Sequence, residues 1–90
     1  MEKYLIFEKT SETNRKYVYQ IGKNSIFTTE DIGNGIEFYD KETAMLIAKY
    51  LTKRNETNKR FYVLSMITEV KVIENEENNE TNYNIREKVL

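Results

Sequence analysis

The sequence predicts an α+β fold: an antiparallel sheet of three to five strands with one helix packed across one face, in the order β-β-(β)-(β)-α-β, followed by a flexible C-terminal tail. Three observations carry this. β-branched and aromatic runs stand near both ends of the first 74 residues, at Tyr4-Leu5-Ile6-Phe7 and Phe61-Tyr62-Val63-Leu64. One stretch, 40–54, repeats its apolar residues at helical spacing. Residues 75–82 contain no apolar side chain, so this segment lacks the means to bury itself. The chain is therefore read as one domain, 1–74, and an acidic, Asn-rich tail, 75–90.

Taken in order, Tyr4-Leu5-Ile6-Phe7 is apolar on both faces, which places it near the middle of a sheet. Thr10 to Arg15 is a polar turn, after which Lys16 to Ile21 alternates with Tyr17, Tyr19 and Ile21 on one face; the two segments form a hairpin with a longer loop. Gly22 to Ser25 breaks the pattern and Ile26 to Thr29 is a short strand. Glu30-Asp31-Ile32-Gly33-Asn34-Gly35, with two glycines bracketing Asn34, is the strongest turn signal in the chain. Ile36 to Tyr39 reads either as a further short strand or as an extended lead-in to the helix.

Asp40 is a suitable N-cap, since its carboxylate can accept from the free amides of the first turn, and Glu42 adds negative charge at the positive end of the dipole. Ala44, Ile47, Ala48 and Leu51 form the apolar stripe, which Leu46 and Tyr50 are expected to widen. Asn55 to Asn58 ends the helix. Arg60 to Glu74 is then a long strand with Tyr62, Leu64, Met66, Val70 and Val72 on one face; its first half is apolar on both sides, its second half on one, as for a strand running from a covered centre to a solvated edge. Tyr83 to Leu90 regains some hydrophobicity and fits a short docked strand or a helical turn equally well.

The chain has 90 residues, a net charge of −1, and no Cys, His, Trp or Pro. There is room for a single core. The missing residue types exclude a Cys–His nucleophile pair, a Ser–His–Asp triad, a zinc finger and a disulfide framework. The paired acids Glu30-Asp31 and Asp40 with Glu42 read as a solvated loop and a helix cap, so neither a metal nor a cofactor nor an enzymatic role is expected. The phosphate-loop patterns are absent. The apolar run at the N-terminus is far too short for a signal peptide or a membrane span, and a cytoplasmic location is expected. The bias toward Asn, Lys, Ile, Glu and Tyr is what an AT-rich coding sequence produces.

Two surfaces remain as candidates. Residues 41–73 carry seven basic and three acidic side chains, against five and seven in residues 1–40 and two and five in residues 74–90. Lys49, Lys53, Arg54, Lys59 and Arg60, with nearby aromatic rings, are the candidate nucleic-acid contact, although a chain that lives by phosphate neutralisation is normally basic overall. Tyr17, Tyr19, Tyr39 and Tyr62 are the candidate protein contact, because tyrosine offers a large rigid surface with a polar end. An open edge beside Tyr17 and Tyr19 also allows strand addition or a homodimer through the sheet edge.

The opening strand Tyr4-Leu5-Ile6-Phe7, the tyrosine-rich second strand, the helix start Phe38-Tyr39-Asp40-Lys41-Glu42-Thr43-Ala44 and the strand Phe61-Tyr62-Val63-Leu64 together resemble small accessory proteins of temperate phages of low-GC Gram-positive, staphylococcal-type bacteria. The resemblance covers residues 3–74, and its motifs are structural. It implies a protein without enzymatic activity that binds a host or phage protein, as an inhibitor or modulator of host defence or replication. The expected function is accordingly a non-enzymatic protein-binding module; the alternative is a weak nucleic-acid-binding protein using the basic helix end.

Overall fold

A computed structural model describes residues 2–54, 59–74 and 79–90. The chain forms β1 (Glu2–Lys9), β2 (Arg15–Ile21), β3 (Ile26–Thr29), a 3₁₀ turn at Ile32–Asn34, α1 (Lys41–Arg54), β4 (Phe61–Glu74) and β5 (Asn79–Val89). The five strands make one antiparallel sheet in the spatial order β3-β2-β1-β4-β5. This is the α+β fold expected, with the strand count at its upper limit. No helix is long and apolar enough to cross a membrane among the described residues.

β1 holds the centre, as its two-sided apolar run requires. On one side it pairs with β4 from Glu2↔Ile67 to Glu8↔Phe61, but on the other it pairs with β2 only at Phe7↔Tyr17, Glu8↔Lys16 and Lys9↔Arg15. Beyond that point the two strands separate, and the segment before the helix fills the gap. Tyr4 and Phe38 exchange both backbone hydrogen bonds, at 2.7 and 2.8 Å, and the Ile36 N–H donates to the Val18 carbonyl at 2.9 Å. Ile36 to Tyr39 is thus the extended lead-in, stitched into the sheet by a single bridge that satisfies backbone groups β2 leaves behind.

The split gives the sheet two cores. On the helix side Tyr4, Ile6, Val18, Phe61 and Val63 are buried beneath Ala44, Ala48 and Leu51 of α1. On the other side Leu5, Phe7, Tyr17, Leu64 and Met66 are buried with no helix above them; Ile32 and Tyr62 pack against them instead. Ile32 belongs to one face and Ile36 and Phe38 to the other, so the chain crosses from face to face through the gap between β1 and β2. The Gly-rich turn, read from sequence as a solvated loop, covers this second core. Asp31 shapes it by accepting from the Gly33 N–H and the Asn34 side-chain amide, both at 2.9 Å. Arg15 adds its guanidinium 4.7 Å above the Phe7 ring.

α1 starts where the capping argument places it: Asp40 accepts from the Thr43 N–H at 3.1 Å and from the Thr43 hydroxyl. Ala44, Ala48 and Leu51 are buried and Ile47 packs against the same core, but Leu46 and Tyr50 are 67% and 53% exposed. They do not widen the stripe. Each lies two residues from a stripe member, about 200° round the helix, and so faces outward. At the other end the Thr52 hydroxyl donates to the Ala48 carbonyl at 2.9 Å and accepts from the Phe61 N–H at 3.0 Å, tying the helix to the start of β4.

The C-terminal segment departs from the expected flexible tail, and of the two readings of Tyr83 to Leu90 the docked strand is the one formed. Residues 79–89, read as part of a flexible tail, form β5, paired with β4 from Leu64↔Val89 through Glu74↔Asn79; residues 75–78 lie outside the described residues. Composition measures what a segment can bury, whereas an antiparallel edge strand is held by backbone bonds that Asn, Thr and Glu make as well as any residue. Beyond Ile67, β4 has β5 as its neighbour but no longer β1, so the pair continues as a two-stranded ribbon. The result is an elongated molecule of 60 × 26 × 20 Å.

Candidate functional site

The four tyrosines proposed from sequence do not form one contact surface: Tyr17 and Tyr62 both pack on Phe7 at the second core, while Tyr19 and Tyr39 are exposed elsewhere. Tyr17 is buried, its ring 6.1 Å from Phe7, so it is a core residue and not an available contact. Its register opposite Phe7 puts it over the second core. Tyr62 is half-buried and stacks on the other side of Phe7 at 5.7 Å. Tyr19 is exposed and pairs with exposed Phe27 at 6.1 Å. Tyr39 is also exposed, and its hydroxyl donates to Glu37 at 2.7 Å. That carboxylate accepts from Lys3 at 2.8 Å as well; the Lys3 bond, then the Tyr39 bond, hold its pKa below the usual range, while the charge and acceptor of Glu37 push the Tyr39 phenol up.

The five basic residues also divide. Arg54 donates to the Gly22 carbonyl at 2.6 Å, tethering the helix end to the β2–β3 turn. Lys59 lies 3.5 Å from Glu8, whose side chain is 5% exposed. Both line a polar cleft of about 710 Å³ at the end of the helix, with Glu8, Lys23 and Tyr50. Each of these cations thus has a partner within the fold, and a phosphate backbone would have to compete for it. Arg60 is exposed. Lys49 and Lys53 are exposed one turn apart on the outward side of α1.

That outward side is where exposed apolar and basic groups meet. Met45, Leu46 and Tyr50 are 41%, 67% and 53% exposed, and Lys41, Lys49 and Lys53 surround them. Two grooves flank the helix and share Leu46 and Lys49. One, of about 630 Å³, lies between the helix and the start of β4, with Met45, Phe61, Tyr62 and Leu90 on its walls. The other, of about 570 Å³, adds Tyr50, Lys53 and Arg54. Of the residues singled out from sequence, the structure therefore brings together Lys49, Lys53 and Arg54, and adds Met45, Leu46 and Tyr50; Tyr62 borders one groove, but its ring stacks on Phe7 over the second core. The helical angle of Leu46 and Tyr50 relative to Ala44 and Ala48 is the signal that identifies the added face.

Among the described residues no group of three acidic side chains is placed to hold a metal ion. No protein-family model, curated protein or solved structure matches the chain.

Proposed function

We propose that this chain is a non-enzymatic protein-binding module whose contact surface is the outward face of α1. The observation that carries the reading is the cluster of Met45, Leu46 and Tyr50, left in solvent by a helix whose other face is already buried, with Lys41, Lys49 and Lys53 around it. An interface draws its affinity from a few apolar and aromatic anchors and its selectivity and association rate from charge around them. The partner surface that fits is an acidic segment carrying apolar side chains. The phage resemblance of residues 3–74 extends the proposal: the partner is a bacterial host protein of defence or replication, inhibited or modulated in the host cytoplasm.

The test is affinity capture from a Gram-positive bacterial lysate by the immobilised chain, run in parallel with Leu46→Glu, Lys49→Glu and Tyr39→Ala variants checked for helix content. The reading expects an acidic protein retained by the parent chain and by Tyr39→Ala and lost from the other two. Capture that survives Leu46→Glu overturns it. So does enrichment of DNA or RNA that falls steeply with salt, the behaviour of a nucleic-acid-binding protein.

A further inference from the structure

The sheet has two borders, and they differ. β3 is only four residues long, and a shift in register between Val18 and Gln20 breaks its pairing with β2. It also covers the edge beside Tyr17 and Tyr19 that the sequence had offered for strand addition. β5, at the other border, is eleven residues long, without proline or glycine. From Asn84 to Val89 every side chain is exposed, Ile85 at 59% and Val89 at 42% on one face, and Ile67 of β4, opposite Arg86 on the other face, is 37% exposed. A border strand of this length, uninterrupted and carrying apolar side chains in solvent, is a template for a further strand.

We propose that the further strand is β5 of a second copy of this chain, paired antiparallel about a two-fold axis at Asn84, so that two five-stranded sheets join into one. Asn84 is the midpoint of Asn79–Val89, and this register therefore engages the whole strand. It sets Lys88 opposite position 80, a glutamate, and by symmetry does so twice; Arg86 falls opposite an asparagine and Glu87 opposite a threonine, so no like charges meet. Ile85 falls opposite position 83, a tyrosine, an aliphatic–aromatic pair of the kind that stabilises sheets. The fold supplies a second reason. Past Ile67 the β4–β5 ribbon has two strands, and a two-stranded ribbon is marginal in water; in the dimer residues 79–83 of each ribbon lie against 85–89 of the second copy, the half of β5 that borders the five-stranded part of its sheet. The axis is perpendicular to the sheet, which keeps both helices on one face and presents two copies of the outward α1 surface together.

The chain contains no cysteine, which makes the test clean. A residue on the axis faces its own copy with Cα atoms about 4.5–5.5 Å apart, within disulfide range. Asn84→Cys should therefore oxidise to a covalent dimer much faster than Glu12→Cys, placed in the exposed β1–β2 turn. Sedimentation equilibrium should show a dimer for the parent chain; Lys88→Glu should weaken it by about tenfold or more, and Glu80→Lys combined with Lys88→Glu should restore it. A parent chain that stays monomeric at high micromolar concentration overturns the proposal, as does crosslinking of Asn84→Cys no faster than Glu12→Cys.

Discussion

At Gly35 the chain runs so close to the sheet that an added Cβ would lie 2.8 Å from Leu5 Cδ2 and 3.2 Å from Tyr17 Cβ. Its φ of −66° suits any residue, so space, not backbone freedom, demands glycine here. Leu5 is fully buried and has nowhere to retreat. Gly35→Ala should cost about 1–3 kcal/mol in urea unfolding. At Gly33 the nearest atom to an added Cβ is an Asp31 carboxylate oxygen at 3.3 Å, and Gly33→Ala should cost less. Asp40 offers a different measurement. The Thr43 hydroxyl and then the Thr43 N–H hold its pKa below the usual carboxylate range. A carboxylate with a lowered folded pKa contributes stability that is fully present above its unfolded pKa and disappears as pH falls through the folded one. Asp40→Asn should retain the cap yet lose that part of the acid dependence, whereas Asp40→Ala should lower the unfolding midpoint at neutral pH as well.

The elements show how far a residue pattern reaches. α1 has one face for the core and one for solvent, which truncation can tell apart. Leu51→Ala should destabilise by about 2–5 kcal/mol, because Leu51 is 1% exposed; Leu46→Ala should stay within about 0.5 kcal/mol. Equal losses in chemical denaturation would mean that the helix is rotated from the position described. The existence and limits of this helix are legible in the sequence because a cap and a 3.6-residue period are local properties. β1, β2, β3 and β4 are legible for the same reason. The covering of the second core is not, since Ile32 and Gly35 bear on Leu5, Phe7 and Tyr17 only after the chain has crossed the sheet. The candidate contact suffered likewise: Tyr17 and Tyr19 share an alternation pattern, but only the paired register reveals that Tyr17 sits over Phe7. β5 was legible only in part, a docked strand being one of two readings of Tyr83 to Leu90, because its polar composition carries no burial signal while the backbone bonds that hold it come from β4.

At the scale of the whole molecule, the long axis comes from β4 and β5 running on after β1 has ended. This construction predicts a specific pattern of amide exchange. From Leu64 to Ile67, β4 lies between β1 and β5, so its amides bond alternately to one side and the other and all should be slow. From Val70 to Glu74 β5 is the paired neighbour, and protection should alternate, with slow amides at the positions that face β5. Pairing of β5 with a second copy leaves the other side of β4 untouched, so its pattern should hold at every protein concentration. The β5 amides that point away from β4 should behave differently: open in dilute solution, and protected in proportion to the dimer present as concentration rises. Protection of these outward amides that does not vary with concentration would mean that something within the single chain already covers the border. A concentration-dependent change confined to them would place the association at β5 and leave the outward face of α1 free for another protein.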